Sequence, residues 1–224
     1  MIKIGNDTRT ILKNFATINN GIKVESGNQL KTISNMKNIL AVATINEQFP
    51  KNFSIYNLPE FLGATSLLED PEFEFGDANL VIADSNTTMS YFYASEGMVN
   101  SPDKMITMPE CEISVDVSST LLSELQKASS VLGVNDLVLE SDGTKITFTV
   151  KDKKNATSNT FSRLVGEGNG STYSMNFKIE NLKVLEGNYE VQVSSKGISH
   201  FKNKDVDIEY FIALEPDSSY TASS

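Results

Sequence analysis

Asp7-Thr-Arg-Thr-Ile-Leu-Lys-Asn-Phe-Ala-Thr-Ile-Asn19 is the stretch on which the fold turns. Ile11, Leu12, Phe15 and Ile18 recur at the helical period, so Thr8 to Asn19 is expected to form a helix with one apolar stripe, entered by Asp7 as its cap. Arg9 and Lys13 stand one turn apart and share a face roughly opposite that stripe, and no acid lies between Thr8 and Asn19. The pattern returns later in the chain. Ile11-Leu12-x-x-Phe15 is echoed by Leu121-Leu122-x-x-Leu125, inside a second expected helix from Ser119 to Leu132. That helix sets Leu121, Leu122, Leu125, Ala128 and Leu132 on one face, with Gly133 as its stop. Phe53-Ser-Ile-Tyr-Asn-Leu58 is likewise echoed by Phe177-Lys-Ile-Glu-Asn-Leu182.

Working outward, each copy reads as a helix, a run of strands, a break after F-x-I-x-N-L, and a hairpin. Two similar α+β domains follow, residues 1–98 and 110–224, joined by a linker over 99–109 that carries Ser101-Pro-Asp103 and begins the run Met108-Pro-Glu110. Strands are expected at Leu30–Ile33, Ile39–Thr44, Leu80–Ala83, Thr88–Tyr93, Leu137–Leu139, Lys145–Val150, Tyr189–Val193 and Val206–Leu214, all short and rich in β-branched or aromatic residues. Asp142-Gly143 marks a hairpin turn. A short helix is expected from Pro59 to Leu68, with Pro in its first turn. The polar stretch Lys151 to Ser171 reads as an insertion loop, and within it Gly166-Glu-Gly-Asn-Gly170 reads as flexible rather than as a phosphate cradle, because no helix follows it.

Composition narrows the chemistry. Of 224 residues 39% are apolar, enough for a sizeable core, and no window approaches the ~18 apolar residues of a membrane span. The N-terminal residues lack an apolar signal core, so neither a membrane association nor a secretory leader is expected. One cysteine, Cys111, and one histidine, His200, are too few for zinc sites, redox pairs or disulfide frameworks, so no metal or cofactor is expected. Asp70-Pro-Glu-Phe-Glu-Phe-Gly-Asp77 misplaces the glycine and the terminal glutamate of a calcium loop and reads as an exposed acidic turn. Cys111 and His200 carry no mark of an activated nucleophile and base, so no catalytic constellation emerges.

Charge is unevenly spread. Lys and Arg total 19 against 29 Asp and Glu, a net charge of −10, which argues against a protein that grips DNA by neutralising phosphates. Yet the first helix is basic, and Lys127 lies on the outward face of the second beside Ser123, Gln126 and Ser130. Glu69, Asp70, Glu72, Glu74 and Asp77 form a run with no base, while Lys145 to Arg163 swings the other way. Two basic residues on one helix ordinarily do no more than solvate an exposed face. Two repeat copies that each place a long, acid-poor helix at the same point suggest instead a shared surface.

Leu12-Lys-Asn-Phe-Ala-Thr-Ile-Asn19 with Gly21-Ile22, Ile55-Tyr-Asn-Leu58 with Phe61-Leu-Gly63, Gly187-Asn-Tyr189 and Ala213-Leu-Glu-Pro-Asp-Ser218 together resemble, in order along the chain, the sliding clamps of T-even-type bacteriophages, which are DNA polymerase processivity factors. The resemblance implies a DNA-clamp fold with two similar domains per subunit, three subunits closed head to tail, helices lining the ring and sheets outside. It also implies duplex DNA in the hole, an ATP-driven clamp loader, the C-terminal peptide of the polymerase as partner, a role in late transcription, and the cytoplasm of an infected bacterium as location. A domain of about 110 residues is roughly 30 Å across, and six in a ring leave a hole on the order of 30 Å. The DNA-facing candidates implied are Arg9, Lys13 and Lys127, with Lys3, Lys183 and Lys196 behind them; where the family has a further Arg in the second helix, this chain has Ser130. The subunit interface implied sets Tyr91, Phe92 and Tyr93 against Leu164 and Val165, although such an aromatic cluster serves equally as core. The partner pocket would comprise Met105, Ile106, Met108, Leu214 and Pro216. The competing reading is a β-rich phage tail or capsid protein, which explains the strands and the acidity but not the repeat.

Overall fold

The computed structural model describes residues 1–95 and 97–223. The chain divides into two units, Met1–Met105 and Ile106–Ser224. The first opens with β1 (Ile2–Lys3), α1 (Asn6–Ile18), β2 (Ile22–Val24), β3 (Gly27–Ile33), β4 (Ile39–Phe49) and β5 (Phe53–Ile55). It continues through α2 (Leu58–Thr65), β6 (Glu72–Phe75), β7 (Asn79–Ala83) and β8 (Thr88–Phe92). The stripe read from the sequence is the buried face of α1: Ile11, Leu12, Phe15 and Ile18 are all nearly inaccessible. The cap differs. Gly5 occupies the cap position and Asp7 sits within the first turn, so α1 carries one acid after all. One orphan donor is met from a distance instead: a Glu47 carboxylate on β4 accepts from Gly5 N–H at 2.5 Å, and its other oxygen accepts from the Thr8 hydroxyl at 2.5 Å. No local pattern announces a cap supplied by a strand about forty residues on.

The four-stranded sheet of this unit has the order β1-β6-β7-β8, antiparallel throughout. The acidic stretch Glu69 to Asp77, expected to be an exposed turn, contains β6. Its acids alternate with phenylalanines at period two, so Phe73 enters the core at 1% exposure while Glu72 and Glu74 stay in water. The short helix begins one residue earlier and ends three earlier than expected, because the Asn57 side chain accepts from Glu60 N–H and fixes its start.

The second unit contains β9 (Ile113–Val117), α3 (Ser119–Leu132), β10 (Asp136–Asp142), β11 (Lys145–Lys151), β12 (Phe161–Glu167) and β13 (Thr172–Lys178). A 3-10 turn over Ile179–Asn181 leads to β14 (Tyr189–Ser194), β15 (Ile198–Asn203), β16 (Ile208–Ala213) and β17 (Ser219–Thr221). α3 has the predicted limits, with Ser118 capping its start and Gly133 at φ +67° closing it. Of its expected apolar face, Leu122 and Leu125 are buried, while Leu121, Ala128 and Leu132 are only half-buried. Ser129 shares the buried face and donates to Val134 O. The last long strand starts at Ile208 rather than Val206, since Asp205 and Val206 N–H both bind Asn203 Oδ1 in the turn before it.

The repeat marks comparable positions in the two units. Leu58 and Leu182 are each buried just after a strand ends, but Pro59 and the Asn57 cap extend the first break into α2, whereas the second is a single 3-10 turn. The expected insertion loop is corrected most. It holds β12, the outer strand of a five-stranded sheet ordered β12-β11-β10-β13-β17. An edge strand buries little, so its residues lack the alternation that marks a strand in sequence. The glycine run is pinned as well: Gly168 and Gly170 N–H donate to Thr144 O and Gly143 O, and a Cβ at Gly168 would lie 2.5 Å from Gly143 O.

Tyr189, Tyr210, Phe177, Phe201 and Met175 fill the second core. Burial drives the Tyr189 hydroxyl up to about 12, and it donates to Leu185 O, while Tyr210 Oη accepts Leu185 N–H. Asp136 is the buried charge, held by Lys178 Nζ at 2.5 Å and Lys153 N–H at 3.0 Å. Burial pushes its carboxyl up, but those donors outweigh burial and hold it below the ordinary range. The bond to Asp136 in turn raises the Lys178 amine. A lowered carboxylate contributes stability above the unfolded value of about 3.9 and loses it as pH falls through the folded one. The raised amine contributes below about 10.4 and loses it as pH rises through the folded value. Asp136→Asn is therefore expected to cost about 1–3 kcal/mol near neutral pH. Chemical denaturation from pH 7 to 3 should show that difference shrinking towards the acid end.

Candidate functional site

The exposed side of α1 presents Lys13, with Arg9 half-buried beside it, and neither makes an ion pair among the described residues. On α3, Lys127 is exposed and equally unpaired there, whereas Glu124 binds Arg163 across to β12 at 3.1 Å. The weaker candidates are differently placed. Lys3 is bound to Asp70 at 2.5 Å, and that bond raises its amine. Lys183 is exposed after the 3-10 turn, and Lys196 is exposed in the β14–β15 turn beside Ser195, which donates twice to Glu112. Among the described residues Arg9, Lys13 and Lys127 are thus the basic residues of the two long helices, and none is in an ion pair; the other exposed residues of these helices include Thr10, Thr17, Ser123, Gln126 and Ser130. Such a surface meets phosphates through few charges and many neutral hydrogen-bonding groups.

The two expected interface segments lie on sheet edges. β8 ends the four-stranded sheet, and Phe92 stands 70% exposed on it. Beside it runs a groove of about 480 Å³ lined by Tyr56, Asn57, Glu60, Tyr91, Phe92 and Tyr93. Tyr91 donates to Glu60 Oε1 at 3.2 Å, and burial together with that carboxylate pushes its hydroxyl up to about 12. Tyr93 packs inward on Phe53, ring centroids 5.5 Å apart, with Lys51 Nζ 5.8 Å from its ring, so this aromatic serves the core. At the edge of the second unit, Leu164 on β12 is 63% exposed and Val165 half-buried. They border a groove of about 560 Å³ lined also by Asp116, Leu121, Arg163 and Lys204. Tyr56, Glu60, Arg163 and Lys204, which also line these grooves, carry no sequence signal of that placement, because only the strand order reveals which strands are edges.

The expected partner pocket is more dispersed. Met105 is exposed and Ile106 and Met108 half-buried, in a segment without regular structure; Leu214 is buried with its N–H on Gly197 O, and Pro216 is exposed. None of them lines either groove. Cys111 and His200 are not brought together. The thiol donates to Pro109 O at 3.4 Å, and burial, then Glu112, raise its pKa, the opposite of what a nucleophile needs. His200 Nε2 lies 2.8 Å from Glu209 Oε2, with its ring stacked on Phe211. Among the described residues no three His, Cys, Asp or Glu side chains are grouped to hold a metal ion, and no helix is long and apolar enough to cross a membrane.

Residues 6–75 match the family model described as DNA polymerase processivity factor, and residues 114–216 match that described as gp45 sliding clamp, C terminal. A sliding clamp from Vibrio phage KVP40 is 34% identical, with 96% of this chain aligned to 99% of that protein. The sliding clamp of Enterobacteria phage T4 is 29% identical over 98% of this chain and 99% of that protein. Among solved structures, the one described as "C-terminal region of FEN-1 bound to A. fulgidus PCNA" superposes with a TM-score of 0.68 at 13% identity, covering 94% of this chain and 96% of that one. At that identity the likeness concerns the fold.

Proposed function

The chain belongs to the sliding-clamp family of DNA polymerase processivity factors, and on that premise we propose that three copies close head to tail into a ring around duplex DNA. The ring holds the polymerase at the primer end by linkage rather than affinity. Closure substitutes topology for grip, so phosphate contacts have to be weak enough to exchange as the ring moves. The observation that carries this reading is the contrast between an acidic chain, net charge −10, and helix faces whose free charges are Arg9, Lys13 and Lys127. An acidic exterior repels duplex from the wrong face, while a thin basic lining centres it. β8 of one copy meets β12 of the next, with Phe92 seated near Leu164 and Leu121. Lys3, Lys183 and Lys196 contribute at the margin, and Lys3 least because Asp70 neutralises it. The polymerase C-terminal peptide and an ATP-driven clamp loader are the partners, with Met105 to Met108, Leu214 and Pro216 as the docking region for short peptides. The chain acts without catalysis of its own, in the cytoplasm of an infected bacterium.

Clamps loaded on nicked circular DNA should co-elute with it through gel filtration and be lost within minutes once a restriction enzyme linearises the circle. Equal retention on circle and line would rule out a topological link.

A further inference from the structure

In each unit, one edge of a sheet is already closed by a very short strand. β1, two residues long, lies on β6 with Ile2 opposite Phe73 and Lys3 opposite Glu72. The Lys3–Asp70 ion pair holds it there. β17, three residues long, lies on β13 with Tyr220 opposite Tyr173, and those rings stack 6.1 Å apart at 18°. Tyr220 Oη and Ser223 N–H both donate to Ser171 Oγ, at 3.3 and 3.2 Å, and Ser171 is 3% exposed. Just upstream, Asp217 pairs with Lys153 at 2.7 Å, Asn176 Nδ2 donates to Asp217 O, and Asn176 N–H donates to Ser218 Oγ. Strands this short bury little surface, so anchoring of this density serves some purpose beyond core packing. Among the described residues, the opposite edges of the same two sheets, β8 and β12, carry no further strand of their own unit.

An uncovered edge offers unpaired N–H and C=O groups to any other chain. We propose that β1 and β17 are edge guards: they occupy β6 and β13 so that β8 and β12 are left as the adhesive edges of these two sheets, for a second copy of this chain. With four open edges, copies could join through several pairings, including ones that propagate without closing. Guarding two of them removes those competitors. The assignment of β8 and β12 to the ring rests on the reading above, whereas the guarding of β13 stands on its own contacts.

The test compares the full chain with one lacking residues 219–224, and with the same truncated chain carrying Thr172→Lys on the exposed end of β13. Light scattering reads mass against concentration, and circular dichroism reports folding. The truncated chain is expected to keep its sheet signal and to form species several-fold heavier than the full chain, and the edge lysine is expected to restore the full chain's mass. A folded truncated chain of unchanged mass at every concentration would overturn the proposal. If the truncated chain fails to fold, Tyr220→Ala in the full chain decides: heavier species support the guard and unchanged mass overturns it. A full chain that is not trimeric would sink the ring reading while leaving this comparison intact.

Discussion

Phe92→Asp is expected to leave each subunit folded and to convert the proposed trimer to monomers. The side chain is 70% exposed in the single chain, so its loss should move subunit stability by no more than about 0.5 kcal/mol. At a seam the same ring would be a central aromatic anchor, and truncating such an anchor typically costs about 2–4 kcal/mol, before the cost of burying a carboxylate. At about 3 kcal/mol, each seam weakens roughly 150-fold. A closed ring has one such seam per subunit, so the penalty is multiplied around it and no trimer should survive at micromolar concentration. Sedimentation velocity together with a melting curve reads both quantities. A folded variant that still sediments as a trimer would show that β8 is not the seam.

The second large effect concerns the DNA-facing surface of the proposed ring. Arg9→Glu with Lys13→Glu should leave the proposed ring intact and weaken direct, loader-independent binding to a short linear duplex roughly tenfold or more near 0.1 M salt, because retention on a closed circle is set by ring opening and not by phosphate contacts. The reasoning is electrostatic: α1 presents the two cations without an ion-pair partner among the described residues, and reversing them places acids where phosphates pass. Removing two cation–phosphate pairings should also make the dependence of that binding on salt shallower by about two units of log–log slope. Lys127→Glu should have a smaller effect, because α3 offers one cation where α1 offers two, and its Ser130 contributes no charge. Binding to a short linear duplex measured across a salt series checks this. An unchanged affinity and slope in the double variant would move the DNA-facing surface away from α1.

The parts of this fold that could be read in the sequence are those stabilised over one or two helical turns. The α1 stripe, the Ser118 cap and Gly133 stop of α3, and the Asp142–Gly143 turn each depend on residues within a few positions of one another. At that turn, Asp142 Oδ1 accepts from the Thr144 hydroxyl and from Thr144 and Lys145 N–H, which holds its carboxyl down to about 2, and Gly143 takes φ +93°. The sequence misleads where a distant partner decides. Glu47 caps α1 from β4, and β6 is a strand because a neighbouring sheet position buries Phe73. β12 pairs with β11 although its own residues show no clean periodicity.

The site divides along the same line. The cationic face of α1 was legible as two residues four apart on one helix, and the sequence alone determined it, along with the two-copy pattern and the clamp likeness. Which strands are edges, and which of those edges are covered, is not encoded in any window. β8 and β12 are open only because β7 and β11 pair on one side and, among the described residues, nothing in the same unit pairs on the other, while β1 and β17 close the far edges of both sheets. Helical amphipathicity is a property of neighbours along the chain, whereas an edge is a property of which strands come together in space, so only the tertiary structure could decide it.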